Sequence, residues 1–124
     1  MPVRLTGDEA FRAWLMAWSG VFQWDEGNTG KLAKHHFTTD DVEAFLEADV
    51  FFAGRVIGEE SQRWKENRFM LTVRLDSSAP CISLFVTNRG EALRIVSCRR
   101  SRPDEERRHD QRIPPGHEDK LGGI

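Results

Sequence analysis

Apolar residues alternate with polar ones in the middle of the chain, which is the period of a β-strand. Every second residue from 69 to 75 is apolar, so this segment predicts a strand with one buried face. Residues 81–87 and 93–99 predict two more strands, and a polar turn at residues 88–91 joins them. Consecutive strands that short turns connect form an antiparallel meander.

The turn at residues 88–91 also predicts the register of the last two strands. A symmetric loop centred between Arg89 and Gly90 gives three facing pairs, which are Leu84 with Ile95, Val86 with Leu93, and Cys81 with Cys98. One face of the sheet is then apolar, and the other carries a polar, largely basic set: Arg68, Arg74, Ser83, Phe85, Thr87, Arg94 and Arg100. The pattern predicts a basic sheet surface with one aromatic side chain.

The N-terminal residues have helical spacing. Residues 6–9 have the form of a capping box, and the apolar residues that follow, up to Trp18, lie three and four positions apart. We expect a helix that ends near residues 19–20. This helix is interpreted as an extra core layer, an oligomer contact, or residues upstream of the true start of the protein.

Three further segments are predicted to be helical. The second helix spans residues 28–35, the third begins at Thr38, and the last begins at Pro103 and ends near Gln111. Residues 53–64 have two glycines and no clear period, so they predict a loop with at most a short strand at its start.

Composition is typical of one domain. The chain has 124 residues, of which 39% are hydrophobic, enough to bury a core without disulfides or metals. No apolar run is long enough to cross a bilayer and no signal-peptide pattern is present, so we expect a cytoplasmic protein without a membrane partner. Cys81 and Cys98 lack companions at zinc spacing and are interpreted as small packing residues, which predicts no metal and no cofactor.

The formal net charge of −2 conceals an asymmetry along the chain. Residues 1–54 carry a net charge of −5, whereas residues 55–112 carry a net charge of +4. The basic charge therefore coincides with the predicted strands. A local basic face on an acidic chain is able to bind phosphates there without adhering to nucleic acids elsewhere.

Four short motifs occur in an order that resembles the BrnT family of bacterial toxins. They are Phe22-Gln23-Trp24-Asp25, Lys34-His35, Glu66-Asn67-Arg68-Phe69, and Arg94-Ile95-Val96-Ser97-Cys98-Arg99, followed by an acidic and basic helix. The resemblance covers about residues 22–110. Four motifs in the right order are more specific than any one of them.

The resemblance implies a ribonuclease toxin with the fold of RelE-like microbial ribonucleases. The expected fold is α+β: an antiparallel meander of three to four strands, two helices on its N-terminal side, a C-terminal helix and an extra N-terminal helix. The expected units are a helical extension at residues 1–20, a toxin domain at residues 21–112 and a flexible tail at residues 113–124. The implied partners are RNA and a BrnA-like ribbon-helix-helix antitoxin, with DNA contacted only through the antitoxin complex.

Metal-independent RNA cleavage by the 2′-hydroxyl needs a base, cations around the phosphate and an acid for the leaving oxygen. The candidate catalytic residues are Lys34, His35, Glu66, Arg68, Arg94 and Arg99. The candidate RNA-binding residues are Arg74, Phe85 and Arg100. Arginine suits phosphate binding because its planar fork grips two oxygens and stays protonated. The competing interpretations are a helix C-terminal pair for Lys34 and His35, and a surface ion pair for Glu66 and Arg68.

Two positions depart from the family pattern. His36 stands where the family has a glycine that ends the helix, and His109 stands where many members have a tyrosine. An alternative function is therefore a catalytically silent module that keeps the antitoxin contact or RNA binding. A third, an RNA-binding sheet without an antitoxin, is disfavoured because Phe85 alone provides little base stacking.

Overall fold

Ten segments of regular structure build the protein in a computed structural model that describes residues 2–113. The strands are β1 (Leu5–Thr6), β2 (Asp49–Val56), β3 (Phe69–Arg74), β4 (Ile82–Arg89) and β5 (Ala92–Arg100). The helices are α1 (Glu9–Met16), α2 (Glu26–Lys34), α3 (Thr39–Leu46) and α4 (Pro103–Gln111), and a 3₁₀ helix, Glu60–Arg63, follows β2. The predicted tail at residues 113–124 lies, apart from Ile113, outside the described residues.

The strands form one antiparallel sheet in the order β1-β2-β3-β4-β5. Helices α1, α2 and α3 cover one face, where their apolar residues join those of the strands in a single core. Helix α4 lies on the opposite face, because its side chains bond to Thr72 and Ser83, which alternate with the core residues of β3 and β4. The predicted α+β class and antiparallel meander are confirmed, with five strands rather than three or four.

The N-terminal helix belongs to this core. Phe11 is buried, and its ring stacks on that of Phe69 with the centroids 3.7 Å apart. Burying a side chain of this size stabilises a protein by about 1.5–3 kcal/mol. Of the three interpretations of this segment, the contacts support the extra core layer. The predicted cap at Thr6 is wrong: Thr6 lies in β1, and Asp8 caps α1 by accepting a hydrogen bond from the Phe11 amide.

Helix α2 begins with a capping box, in which Asp25 and Asn28 each bond to the other's backbone amide. The chain leaves this helix through His36, whose φ of 65° is the left-handed conformation that glycine adopts more easily. Thr38 and Asp41 form a second capping box, so α3 begins where the sequence predicts. These two caps fix the ends of short helices that have little propensity of their own.

Strand β2 is longer than predicted and begins at Asp49, four residues before the predicted loop at residues 53–64. Both of its faces are covered: Phe52 lies in the core, and the ring of Phe51 meets that of His109 on the α4 side. A strand covered on both faces loses the alternation that identifies strands in a sequence. A register shift between Phe52 and Gly54 interrupts the period further.

The predicted register of the last hairpin is wrong. The loop is Gly90-Glu91, with a φ of 61° at Gly90, so its centre lies one residue further along the chain. A bulge then adds Val96 to β5, because Val86 faces Ile95 whereas Phe85 faces Ser97. In consequence Leu84 faces Cys98, not Ile95, and Cys81 and Cys98 are not a facing pair. Both cysteines are free and buried, as expected.

Candidate functional site

A cleft of about 230 Å³ lies on the α4 side of the sheet and collects basic and aromatic side chains from distant parts of the chain. The residues with charge or a ring that line it are Lys31, Trp64, Arg68, Phe85, Arg99 and Arg102, together with the carboxylate Glu60. They come from α2, the 3₁₀ helix, the loop between that helix and β3, strands β4 and β5, and the N-cap of α4. Four cations and two rings thus meet in a space smaller than the roughly 300–1,000 Å³ of sites for drug-sized ligands.

Arg99 reaches this cleft because of the bulge in β5. The extra residue turns Arg99 to the α4 side, where it faces Ser83, and turns Arg100 to the side of Ile82. The guanidinium of Arg99 lies 5.2 Å from the centre of the Phe85 ring. The predicted basic surface is therefore corrected: Arg99 belongs to it and Arg100 does not.

A buried carboxylate holds Arg99 in place. Its two terminal nitrogens donate to Glu105 at 2.7 and 2.8 Å, and Glu105 is only 1% exposed. Glu105 also accepts hydrogen bonds from the Ser83 hydroxyl and the Arg102 amide. Burial opposes ionisation of this carboxyl, but the bonds from Arg99, Arg102 and Ser83 together outweigh it and lower the pKa of Glu105. Arg99 thus contributes to the contact between α4 and the sheet.

Arg68 is held more loosely. Its Nε donates to Glu66 at 3.4 Å, and its guanidinium lies 4.5 Å from the centre of the Trp64 ring. Glu66 also accepts from Arg89 at 3.1 Å, so it bridges two arginines. This arrangement matches the ion pair expected for Glu66 and Arg68. Glu66 itself does not line the cleft.

Arg74 is neutralised by helix α4 instead of facing open solvent. It donates to Glu106 at 2.9 Å and to Asp110 at 3.1 Å. Its other terminal nitrogen donates to the carbonyl of Ala79 in the turn before β4. The prediction of an open basic sheet surface is wrong at this end, because α4 covers it and supplies the opposite charges.

His109 lies on the face of α4 that packs against the sheet and is 2% exposed. Its Nδ1 is 2.9 Å from the Thr72 hydroxyl, and its Nε2 is 3.3 Å from a carboxylate oxygen of Asp49. Burial, reinforced by the nearby Arg112, lowers the pKa of His109, although Asp49 opposes the shift. The His109 ring therefore anchors a helix and does not line the cleft.

Arg94 pairs with Asp25 outside the cleft. The distances from its two terminal nitrogens to the Asp25 carboxylate are 2.7 and 3.2 Å. The Arg94 bonds and the Asn28 amide lower the pKa of Asp25 to about 2. This contact ties β5 to the N-terminus of α2, where Asp25 is also the helix cap. The geometry gives Arg94 a structural role.

Lys34 and His35 are exposed at the C-terminal end of α2 and do not line the cleft. Lys31, one helical turn earlier, does. The structure therefore brings three of the nine predicted site residues into one cleft, namely Arg68, Phe85 and Arg99.

Sequence reasoning missed Lys31, Glu60, Trp64 and Arg102 at the cleft. Trp64 carried a usable signal, since a large aromatic residue within an otherwise polar loop has no core face to explain it. Lys31 had none, because nothing in the local sequence places this turn of α2 beside β5. The same holds for Arg102, whose position depends on where α4 docks.

No family model, curated protein or solved structure matches the chain. Membership of the BrnT family thus stays a prediction, which rests on the four sequence motifs. Among residues 2–113, no group of three or more His, Cys, Asp or Glu side chains is arranged to hold a metal ion. In the same part of the chain, no helix has both the length and the apolar character needed to cross a membrane.

Proposed function

We propose that the protein is the ribonuclease toxin of a type II toxin–antitoxin pair and that it binds and cleaves RNA at the Arg68–Arg99 cleft. The observation that carries the proposal is the meeting of Arg68 and Arg99 in one cleft, although 31 positions separate them in the sequence. Both stand on motifs that resemble the BrnT family. Phe85 lies in the same cleft, where its ring is available to a base.

The cations supply the binding part of the chemistry. Lys31, Arg68 and Arg102 line the cleft, so a phosphate there has donors on several sides, while Glu105 fixes Arg99 beside them. Cleavage would form a bond between the 2′-oxygen and phosphorus and break the bond to the 5′-oxygen. Charge that develops on the phosphate oxygens in this step is what fixed guanidinium groups stabilise.

The proton transfers fall to two groups that line the cleft. Glu60 would accept the proton of the 2′-hydroxyl, and Lys31 would donate one to the departing 5′-oxygen. This assignment replaces Glu66 and His35 as candidate base and acid, since neither lines the cleft. Glu66 instead restrains Arg68 through the bond between them.

A second candidate function is a catalytically silent module that retains RNA binding or the antitoxin contact. The observation in its favour is the burial of His109, the residue that stands in place of the family's tyrosine. A side chain bonded to Thr72 and lying against Asp49 inside the fold is out of reach of a substrate in the cleft. No histidine among residues 2–113 lines the cleft.

The implied partners form part of the proposal. A BrnA-like antitoxin would neutralise the toxin in the cytoplasm, and the complex would repress its own operon through the ribbon-helix-helix region of the antitoxin. Only the antitoxin would contact DNA. If the chain arrests growth on its own, as the first candidate function requires, coexpression with such a neighbouring protein should restore growth.

Inducible expression of the wild type and of a Lys31→Ala, Arg68→Ala double variant tests the proposal. Arg99 is left intact because its replacement would strand the buried Glu105 and unfold part of the protein. We expect growth arrest and RNA fragmentation with the wild type and neither with the double variant. A matched Lys34→Ala, Arg100→Ala variant removes the same charges outside the cleft and is expected to remain toxic.

Two outcomes would contradict the proposal, the first its ribonuclease activity and the second its active site. Intact RNA and normal growth with a well-expressed wild type would favour the silent module. Equal toxicity of the wild type and the Lys31→Ala, Arg68→Ala variant would show that the cleft is not the active site. Soluble yield and thermal unfolding of each variant, measured alongside, separate loss of function from loss of fold.

A further inference from the structure

Trp64 lines the basic cleft beside Arg68. It follows the 3₁₀ helix and is only half-buried, unlike a residue of the central core. The Arg68 guanidinium lies 4.5 Å from the centre of the Trp64 ring, and the Arg99 guanidinium lies 5.2 Å from the centre of the Phe85 ring. The cleft therefore contains two stacks of an arginine on an aromatic ring.

We infer that these two stacks form a binding site for one unpaired base, so that the cleft takes single-stranded RNA and rejects duplex RNA. This inference rests on the proposed function, because it names the class of RNA that the cleft accepts. Aromatic rings and guanidinium planes are the surfaces on which proteins stack splayed-out bases. In a duplex both faces of each base are covered by its neighbours, so no base is free to enter.

The size and charge of the cleft agree with this ligand. A volume of about 230 Å³ accommodates a small planar group rather than a helix of RNA. Lys31 and Arg102 lie in the same lining, so the phosphates on either side of the bound base have cationic partners beside the rings. With Trp64 included, the objection that Phe85 alone provides too little stacking no longer holds.

The experiment compares RNA probes whose bases are unpaired, absent or paired. The binding probes are a short oligoadenylate with 2′-O-methyl sugars, which blocks cleavage, the same chain with every base removed, and the duplex of the first chain with its complement. Affinities are measured for the wild type, Trp64→Leu and Trp64→Phe. Lys31→Met serves as the variant that alters phosphate contacts alone.

We expect the wild type to bind the single strand about 5- to 100-fold more tightly than the abasic chain, as stacking energies per base predict. The duplex should bind more weakly than the single strand. Trp64→Leu should lose most of the preference for bases while its affinity for the abasic chain changes by less than about twofold. Trp64→Phe keeps a ring and should keep most of the preference, whereas Lys31→Met should weaken both chains equally.

The contrary outcomes separate this inference from the proposed function. Equal, strongly salt-dependent binding of the base-containing and abasic chains, or equal binding of duplex and single strand, would overturn the base site and leave RNA binding at the cleft standing. Binding of none of the three at low ionic strength would overturn both. If Trp64→Leu fails to fold, the abasic comparison with the wild type still decides, because it needs no substitution.

Discussion

Arg99 and Arg68 line the same cleft, and each lies over an aromatic ring, yet their carboxylate partners differ. Glu105 is 1% exposed and bonds both terminal nitrogens of Arg99, whereas Glu66 is 26% exposed and makes a single 3.4 Å bond to Arg68. The first pair joins α4 to the sheet. The second lies in the open loop before β3.

Whether α4 covers the partner carboxylate therefore decides what each arginine does. Where α4 covers the face, a strand arginine becomes half of a buried ion pair, and its removal strands a charge inside the protein. At Arg68 the partner carboxylate is 26% exposed and accepts one 3.4 Å bond from Nε, so the pair contributes little stability and Glu66 does not hold the two terminal nitrogens. Replacing Arg99 therefore reports on folding, whereas replacing Arg68 reports on binding.

Glu105→Ala should produce the largest loss of stability. It leaves Arg99 without its partner beneath α4, which we expect to lower the free energy of unfolding by about 3 kcal/mol, the lower end for a buried pair because Arg99 is itself 22% exposed. Urea unfolding followed by circular dichroism measures it. The matched control is Glu106→Ala, one residue along the same helix, whose carboxylate is 43% exposed and should cost less than about 1 kcal/mol. Equal losses in the two variants would contradict the comparison.

The same pair should make stability depend on pH in the acid range. Because the folded-state pKa of Glu105 is lowered from 4.5, its contribution is fully present above that value and is lost as the pH falls through the folded-state pKa. The stability difference between the wild type and Glu105→Gln should therefore be constant near neutrality and shrink below pH 4.5. Urea midpoints measured across this range test it, and a difference that grows on acidification would reverse the sign.

His109 should contribute a smaller pH dependence at higher pH. Its folded-state pKa lies below 6.5, so acidification below 6.5 protonates the unfolded chain first and favours unfolding until the folded-state pKa is reached. We expect the wild type to lose stability on going from about pH 8 to about pH 5.5, and His109→Gln to lose less. His35→Gln, which removes an exposed ring, should follow the wild type. Identical slopes in all three proteins would mean that His109 is not held neutral beneath α4.

These contrasts also explain how much of the molecule could be predicted from its sequence. The cap at Thr38 was predictable because a capping box depends on residues three positions apart, and the start of α4 because Pro103 and the acids after it favour a first helical turn. Helix α2 begins at Glu26, two residues before its predicted start. The alternation in β3 was predictable because three helices cover one of its faces with apolar residues, whereas α4 meets the other face through the polar Thr72 and Arg74. Strand β2 was not, because it is covered on both faces and contains an irregularity near Gly54.

The site was less predictable than the fold, because it depends on a bulge and on the docking of a helix. One extra residue, Val96, exchanges the faces of Arg99 and Arg100, and no local pattern reveals it. The partners of Arg74 and Arg99 lie on α4, so their neutralisation follows from tertiary packing alone. The sequence predicts these arginines to be basic surface, whereas in the structure they pair with carboxylates of α4 and hold that helix on the sheet.

Glu66→Gln should have the smallest effect on stability, and it should raise the affinity for RNA. Because Glu66 is partly hydrated, its loss should change the free energy of unfolding by less than about 1 kcal/mol. It also releases Arg68 and Arg89 from a shared carboxylate, so under the proposed function the affinity for single-stranded RNA should rise about two- to fivefold.

The control for this last variant is Glu43→Gln, which makes the same change of net charge at an exposed position of α3. Affinities measured over a series of salt concentrations separate the two explanations. A rise confined to Glu66→Gln would mean that the carboxylate competes with phosphate for Arg68. An equal rise in both variants would mean that only the net charge of the protein matters. That result would contradict the assignment of Arg68 as a ligand-binding residue, and the structural role of Arg99 would be unaffected.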